Sequence, residues 1–344
     1  MIPMFGSDNG VGVSPEILAA MAEANTGFAA GYGDDQWTGR LDAAYSTFFK
    51  KECYVLSAPT GTAANALALS AITPPYGQVL CHEDAHIFTT ECGAPEFYAG
   101  GSRLVPLAGD GGRLSAKSVA DYLAHHFPHN RHHMTMAAIS VTQPTEVGTL
   151  YSLDELAAIA EVVHSRGMKV HMDGARFANA LVAMNCTPAE LSWRCGIDIL
   201  TFGTTKNGTM NAEAIIVFDR DLVAELALRH KRAGLLTSKM RFASVQLLAY
   251  LEGDLWRRNA LAANGAARSL ESMFARLPGA ELLYPVETNQ VFVSLSDDVL
   301  ADLSSAGCHF RRWGRPRPNV HRLVTAFSSK ADVDDIFHRI QNSA

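Results

Sequence analysis

From about residue 53 to residue 220, short apolar runs alternate with amphipathic helical patterns. This alternation constrains the chain more tightly than any other feature, because it is the mark of βαβ units stacked into a largely parallel sheet with helices on its faces. Residues 137–142 read as one strand. Ser152 and Glu155 then spell a capping box ahead of a helix whose apolar face is Leu153, Leu156, Ile159, Ala160 and Val163, with Gly167 at its end. Residues 168–173 return as a strand, and residues 198–202 form a third that runs into a turn at Gly203. A further strand at 214–218 follows almost at once. The gap is too short for a crossover helix, so this strand is an antiparallel neighbour or a tight return, and the predicted sheet is mixed and mostly parallel.

Beyond about residue 245 the texture changes. A long helical stretch over 247–277 precedes apolar strands at 290–295 and 322–325, and a helix from Asp332 closes the chain. The expected fold class is α/β, with a large domain over residues 13–245. A smaller C-terminal α+β domain covers 246–344 and takes in the N-terminal segment 1–12. A chain of 344 residues exceeds the length at which a single core usually stops growing. No Gly/Ser linker separates the halves, so the lobes are expected to pack against each other.

Hydrophobic residues at 48% and charged residues at 19% describe an ordinary water-soluble globular chain. A formal net charge of −6 argues against a nucleic-acid partner, whose phosphates require a basic surface. Cys53, Cys81, Cys92, Cys186, Cys195 and Cys308 are scattered with no C-x-x-C pair and read as reduced, mostly buried thiols. The N-terminus lacks the basic and apolar regions of a leader, and no apolar run reaches membrane-spanning length, so the expected location is the cytoplasm with no membrane partner. The histidines at 125, 126, 129, 132 and 133 follow a helical run and read as a solvated loop, with no metal assigned. The basic stretch Arg311-Arg312-Trp313-Gly314-Arg315-Pro316-Arg317 reads likewise as a solvated loop.

Asp173 closes one predicted strand, and Lys206 sits just past another in Thr204-Thr205-Lys206-Asn207-Gly208. Both therefore fall at the carboxyl edge of the sheet, where open α/β sheets bind ligands. Taken singly, Asp173 reads equally as a helix cap and Lys206 as a surface lysine. Together they suit pyridoxal 5'-phosphate, whose ring nitrogen needs a buried carboxylate and whose aldehyde forms a Schiff base with a lysine. The turn Pro59-Thr60-Gly61-Thr62 opens a helix over 63–71, and a helix N-terminus there offers the phosphate free backbone N–H groups and the Thr62 hydroxyl.

Gly61-Thr62-Ala63-Ala64-Asn65, Met172-Asp173-Gly174-Ala175-Arg176 and Thr205-Lys206-Asn207-Gly208 occur in the order and spacing of the L-threonine aldolases, which the chain resembles. Phe5-Gly-Ser7-Asp8-Asn9, Tyr32-Gly-Asp34-Asp35, Asp84-Ala-His86, Thr288-Asn289 and Arg322-Leu-Val-Thr325 extend the likeness over nearly the whole length. The resemblance implies the aspartate-aminotransferase-like fold type I. It implies that His86 stacks on the cofactor ring and that Thr205 lies in the cofactor site. Arg176 would bind the phenolic oxygen or the substrate carboxylate, and Ser7 and Arg322 would grip that carboxylate. It further implies a homodimer or homotetramer with shared active sites, to which Tyr32 contributes.

The chain departs from the family where many members carry Glu-Asn-Thr-His-Asn and this one reads Gln143-Pro144-Thr145-Glu146. The second active-site histidine is missing, which leaves His86, Glu146 or a water as the general base. In this respect the chain is similar to the bacterial low-specificity branch. The implied reaction is cleavage of threonine, allo-threonine or an aryl-serine to glycine and an aldehyde. Other pyridoxal chemistry at Cβ or Cα (β-elimination, transamination or racemisation) and a non-catalytic binding protein of the same fold are the alternatives.

Overall fold

The computed structural model describes residues 5–125 and 131–343, the side chains of 337–343 excepted. Seven strands form the main sheet: β1 Tyr54–Ala58, β2 Gly77–His82, β3 Arg103–Leu107, β4 Thr135–Thr142, β5 Lys169–Gly174, β6 Ile199–Phe202 and β7 Glu213–Val217. Their spatial order is β1-β7-β6-β5-β4-β2-β3. Strands β3, β2, β4, β5 and β6 run parallel, and β7 pairs antiparallel with both β6 and β1. The sheet is thus mixed and mostly parallel, for the predicted reason: ten residues between β6 and β7 hold only a short 3₁₀ turn. Because β7 runs the other way, its first residue, Glu213, reaches the same edge as the carboxyl ends of the other strands and sits opposite Ala58.

The capping box is present as read, with the Ser152 hydroxyl accepting from the Glu155 amide at 3.1 Å and the Glu155 carboxylate accepting from the Ser152 amide at 2.7 Å. The helical stretch read over 247–277 is instead two helices, Arg241–Leu251 and Leu255–Phe274. Gly253 and Asp254 between them both adopt φ of 56°, a left-handed conformation that glycine tolerates and that aspartate adopts more readily than most side chains. Position 245 falls inside the first of these helices.

A second, four-stranded antiparallel sheet has the order β10-β11-β9-β8, with β8 Ala280–Leu282, β9 Gln290–Leu295, β10 Arg311–Arg312 and β11 Val320–Val324. Its core joins Leu270, Met273 and Phe274 to Val291, Val293, Leu303 and Leu323. Phe5 is buried in this core and is held by backbone bonds to His309 and Val324. The stretch read as a solvated loop at 311–317 is exposed except at Trp313, but it is not all loop: Arg311 and Arg312 pair with Arg322 and His321, and the half-buried Trp313 packs edge-on against Phe292 at 5.3 Å. Of the histidine-rich stretch, His126 and His129 lie outside the described residues. Among the described residues no helix is long and apolar enough to cross a membrane.

Candidate active site

Aromatic packing fixes the strand that presents Lys206. Phe202 ends β6 fully buried, with ring centroids 5.2 Å from Phe177, 5.8 Å from Phe48 and 5.9 Å from Tyr250. Beyond it the chain turns through Thr205–Asn207, and Asn207 Nδ2 donates to Tyr250 Oη at 2.6 Å and to the Trp256 carbonyl at 2.8 Å. Gly208, at φ 122°, closes the turn where any Cβ would collide with Ser14 Oγ and Asn259 Nδ2. The amide of Thr204 donates to Glu213 Oε2 at 2.6 Å, which ties the turn back to β7. Lys206 is therefore held between two fixed points and lines a cavity of about 330 Å³.

The same cavity brings together Asp173, Arg176, His86, Gly61, Thr62, Thr205, Ser7 and Arg322. Asp173 is buried; its Oδ1 accepts from the Ala175 amide at 3.0 Å and its Oδ2 from Asn65 Nδ2 at 2.9 Å. The helix Gly61–Ile72 starts at the cavity wall. Thr60 caps it by accepting from the Ala63 amide at 3.1 Å, so the first helical amides, of Gly61 and Thr62, have no intrahelical acceptor. The space beside Gly61 is open for at least 4 Å in the direction a Cβ would take.

His86 begins a short helix after β2, and its Nδ1 lies 2.8 Å from Oε1 of the buried Glu91. Asn65 Nδ2 donates to that same Glu91 oxygen at 2.9 Å, so one amide group links the His86–Glu91 pair to Asp173. The bond to Glu91, with the nearby charges of Glu146 and Asp173, holds the His86 imidazole above its ordinary value, although burial pulls the other way. Glu146 accepts from the His86 amide at 3.2 Å. Burial, reinforced by Asp173, pushes the Glu146 carboxyl up. Its loop is fixed by the fully buried Gln143, whose side chain makes two bonds of 3.0 Å to the Tyr151 backbone.

Arg176 does not point its fork into open space. Nε and Nη2 donate to the two oxygens of the buried Asp8 at 2.7 and 2.9 Å, and Asn289 Nδ2 completes that carboxylate's shell at 3.0 Å. Burial alone would raise Asp8, but the Arg176 guanidinium, through charge and hydrogen bonding, holds it below the usual carboxylate range. Nη1 of Arg176 remains for a ligand. Arg322 projects from β11 with its guanidinium 5.2 Å from the Trp313 ring centre, and its buried Nε has no partner among the described residues. Ser7 Oγ accepts from the Asn9 amide at 3.2 Å. Tyr32 lies elsewhere: half-exposed on a loop with φ 57°, its ring carries the Lys231 ammonium at 4.5 Å.

Four further residues of the site escaped the sequence reading. Asn65 and Asp8 lay inside matched motifs but had no assigned role, and nothing in local spacing marks Glu91 or Glu213. Among the described residues no group of three or more His, Cys, Asp or Glu side chains is placed to hold a metal ion.

Pyridoxal phosphate fits this donor set. A lysine and a buried, doubly bonded carboxylate face one cavity, and a helix N-terminus with free amides and no side chain at Gly61 opens beside them. A family model for beta-eliminating lyases matches residues 5–298. The low-specificity L-threonine aldolase of a Pseudomonas strain is 45% identical over 310 residues, covering 89% of this chain and 88% of that protein. The enzyme of that name from Pseudomonas aeruginosa is 46% identical over the same shares. A solved threonine aldolase of Leishmania major, 26% identical, superposes with a TM-score of 0.89 and covers 98% of both chains. With the cavity built as it is and the likeness running through nearly all of both sequences, the chain belongs to the low-specificity L-threonine aldolases of the beta-eliminating lyase family.

Proposed function

We propose that this protein is a pyridoxal-phosphate-dependent aldolase that cleaves L-threonine, L-allo-threonine or a related β-hydroxy-α-amino acid to glycine and an aldehyde. The observation that carries this reading is the meeting of Lys206, Asp173 and the open helix end at Gly61 with Arg322 and the His86–Glu91 pair in one cavity. When bound, pyridoxal phosphate supplies the electron sink for the pair released at Cα. Lys206 would hold its aldehyde carbon, Asp173 its ring nitrogen, Arg176 its phenolic oxygen, and Gly61, Thr62 and Thr205 its phosphate, with His86 beside the ring.

Ser7 and the guanidinium of Arg322 bind the substrate carboxylate, with Nη1 of Arg176 at its side. Fixing that group fixes which bond at Cα faces the sink. Glu91, as a carboxylate, accepts from His86 and so keeps the ring proton on Nδ1. Nε2 is then the lone pair that takes the β-hydroxyl proton as the Cα–Cβ bond breaks. Product analysis on threonine and phenylserine tests the reading: glycine with an aldehyde is expected, whereas a keto acid, ammonia or the D-amino acid would replace it with transamination, elimination or racemisation.

A base must be neutral, and the raised His86 must lose its proton first. Activity is therefore expected to rise with pH through a value above the ordinary imidazole range. Glu91→Gln removes the largest cause of that shift, and the acid limb of kcat/KM should move to lower pH while turnover falls because the tautomer is no longer held. An acid limb that stays in place would show that Glu91 does not govern His86.

At least two copies are proposed to assemble with shared sites. Phe28, fully exposed, and Tyr32, on the same loop, present the apolar surface that supports this. A monomer mass in sedimentation would remove it.

A further inference from the structure

The hairpin that carries Arg322 holds more positive charge than one α-carboxylate requires. Arg311 stands directly opposite Arg322 across the β10–β11 ladder, so both side chains leave the same face. Like charges in that position destabilise an antiparallel pair. Among the described residues Arg311 has no carboxylate partner, and its charge, after burial and Arg176, helps to hold Arg322 below the usual arginine range. Trp313, two residues along, carries the guanidiniums of Arg322 at 5.2 Å and Arg315 at 5.3 Å over its ring.

These residues wall an outer chamber of about 690 Å³ that shares Ser7, His86, Glu146 and Arg322 with the reaction cavity. Two carboxyl groups also face it. Asp84 is already paired with Arg315 at 3.1 Å, and burial opposes the charge on Glu146. The chamber is left cationic, with Trp313 in its wall.

We propose that the outer chamber binds the β-substituent of the substrate and selects a flat one ending in an anion, such as an aryl ring bearing a carboxylate. The inference rests on the aldolase reading for its orientation. Ser7 and Arg322, which take the α-carboxylate, and His86, which meets the hydroxyl, all lie on the border between the two spaces, so the third group on Cβ is directed outward past them. An anion there sits against Arg311 and Arg315, which line the outer chamber and not the reaction cavity, while the ring packs beside Trp313.

Phenylalanine and 4-carboxyphenylalanine test this, because neither has a β-hydroxyl to cleave. Calorimetric titration of the holoenzyme should give a Kd roughly fivefold lower for the carboxylated compound, the scale of a partly exposed ion pair. The ratio should fall towards one in roughly 0.5 M salt and in both Arg311→Gln and Arg315→Gln. Equal affinities in the unaltered protein, or a preference that survives both substitutions, would overturn the proposal. Phenylserine cleavage by the same preparation separates the two readings. Its absence removes the aldolase function, while the Kd ratio still decides whether the chamber selects an anion.

Discussion

Lys206→Ala is expected to reduce turnover of any β-hydroxy amino acid to background and to abolish the near-visible absorbance of the holoenzyme. The side chain lines the cavity, and its ammonium charge acts on the carboxyls of Asp8, Glu146 and Glu213. It makes no hydrogen bond or ion pair among the described residues, so its removal takes away the cofactor's covalent anchor without breaking a contact that holds the fold. Folding should persist because Asn207, not Lys206, ties the turn to Tyr250 and Trp256. The measurement is absorbance together with borohydride trapping. A variant that still forms a borohydride-reducible link to pyridoxal phosphate would move the Schiff base to another lysine.

His86→Asn should leave the cofactor bound and cut kcat by about 10²- to 10⁴-fold, the usual contribution of a positioned general base. Asparagine retains a donor for Glu91 but has no group that accepts a proton near neutrality. Absorbance separates the two variants, being lost in Lys206→Ala and kept in His86→Asn. If turnover is unchanged, His86 is not the base, which leaves a water or Glu146, a residue that shares the cavity wall and whose carboxyl is pushed up by burial. Glu146→Gln would carry the loss in the second case.

Much of the site was legible because its parts are local. Asp173 and Lys206 each end a strand recognisable from a few apolar residues, and any such strand delivers its last residue to the carboxyl edge of the sheet. The capping box at Ser152 and the turn at Gly61 are likewise written in four or five consecutive residues. The two-helix break at Gly253 was not legible. The apolar pattern continues through it, and only the left-handed backbone of Gly253 and Asp254 redirects the chain.

Partnership was the other hidden part. Arg176 was read as a ligand-binding fork, yet both of its fork atoms are engaged by Asp8, 168 residues away. Asn65 joins Asp173 across 108 residues while holding Glu91, and nothing in the spacing of those three announces the link. Arg311 is one more charge in a basic stretch until the hairpin sets it opposite Arg322.

Hydrophobic period and turn chemistry act over a few residues, so the order of strands and helices and the chemical groups at their ends can be read along the chain. Which of those groups meet is fixed in the folded molecule alone: Glu91 with His86, Asn65 with Asp173, Asp8 with Arg176, and the arginines around Trp313. Such pairings depend on sheet order, which is settled by burying the apolar faces of the two sheets rather than by any local pattern.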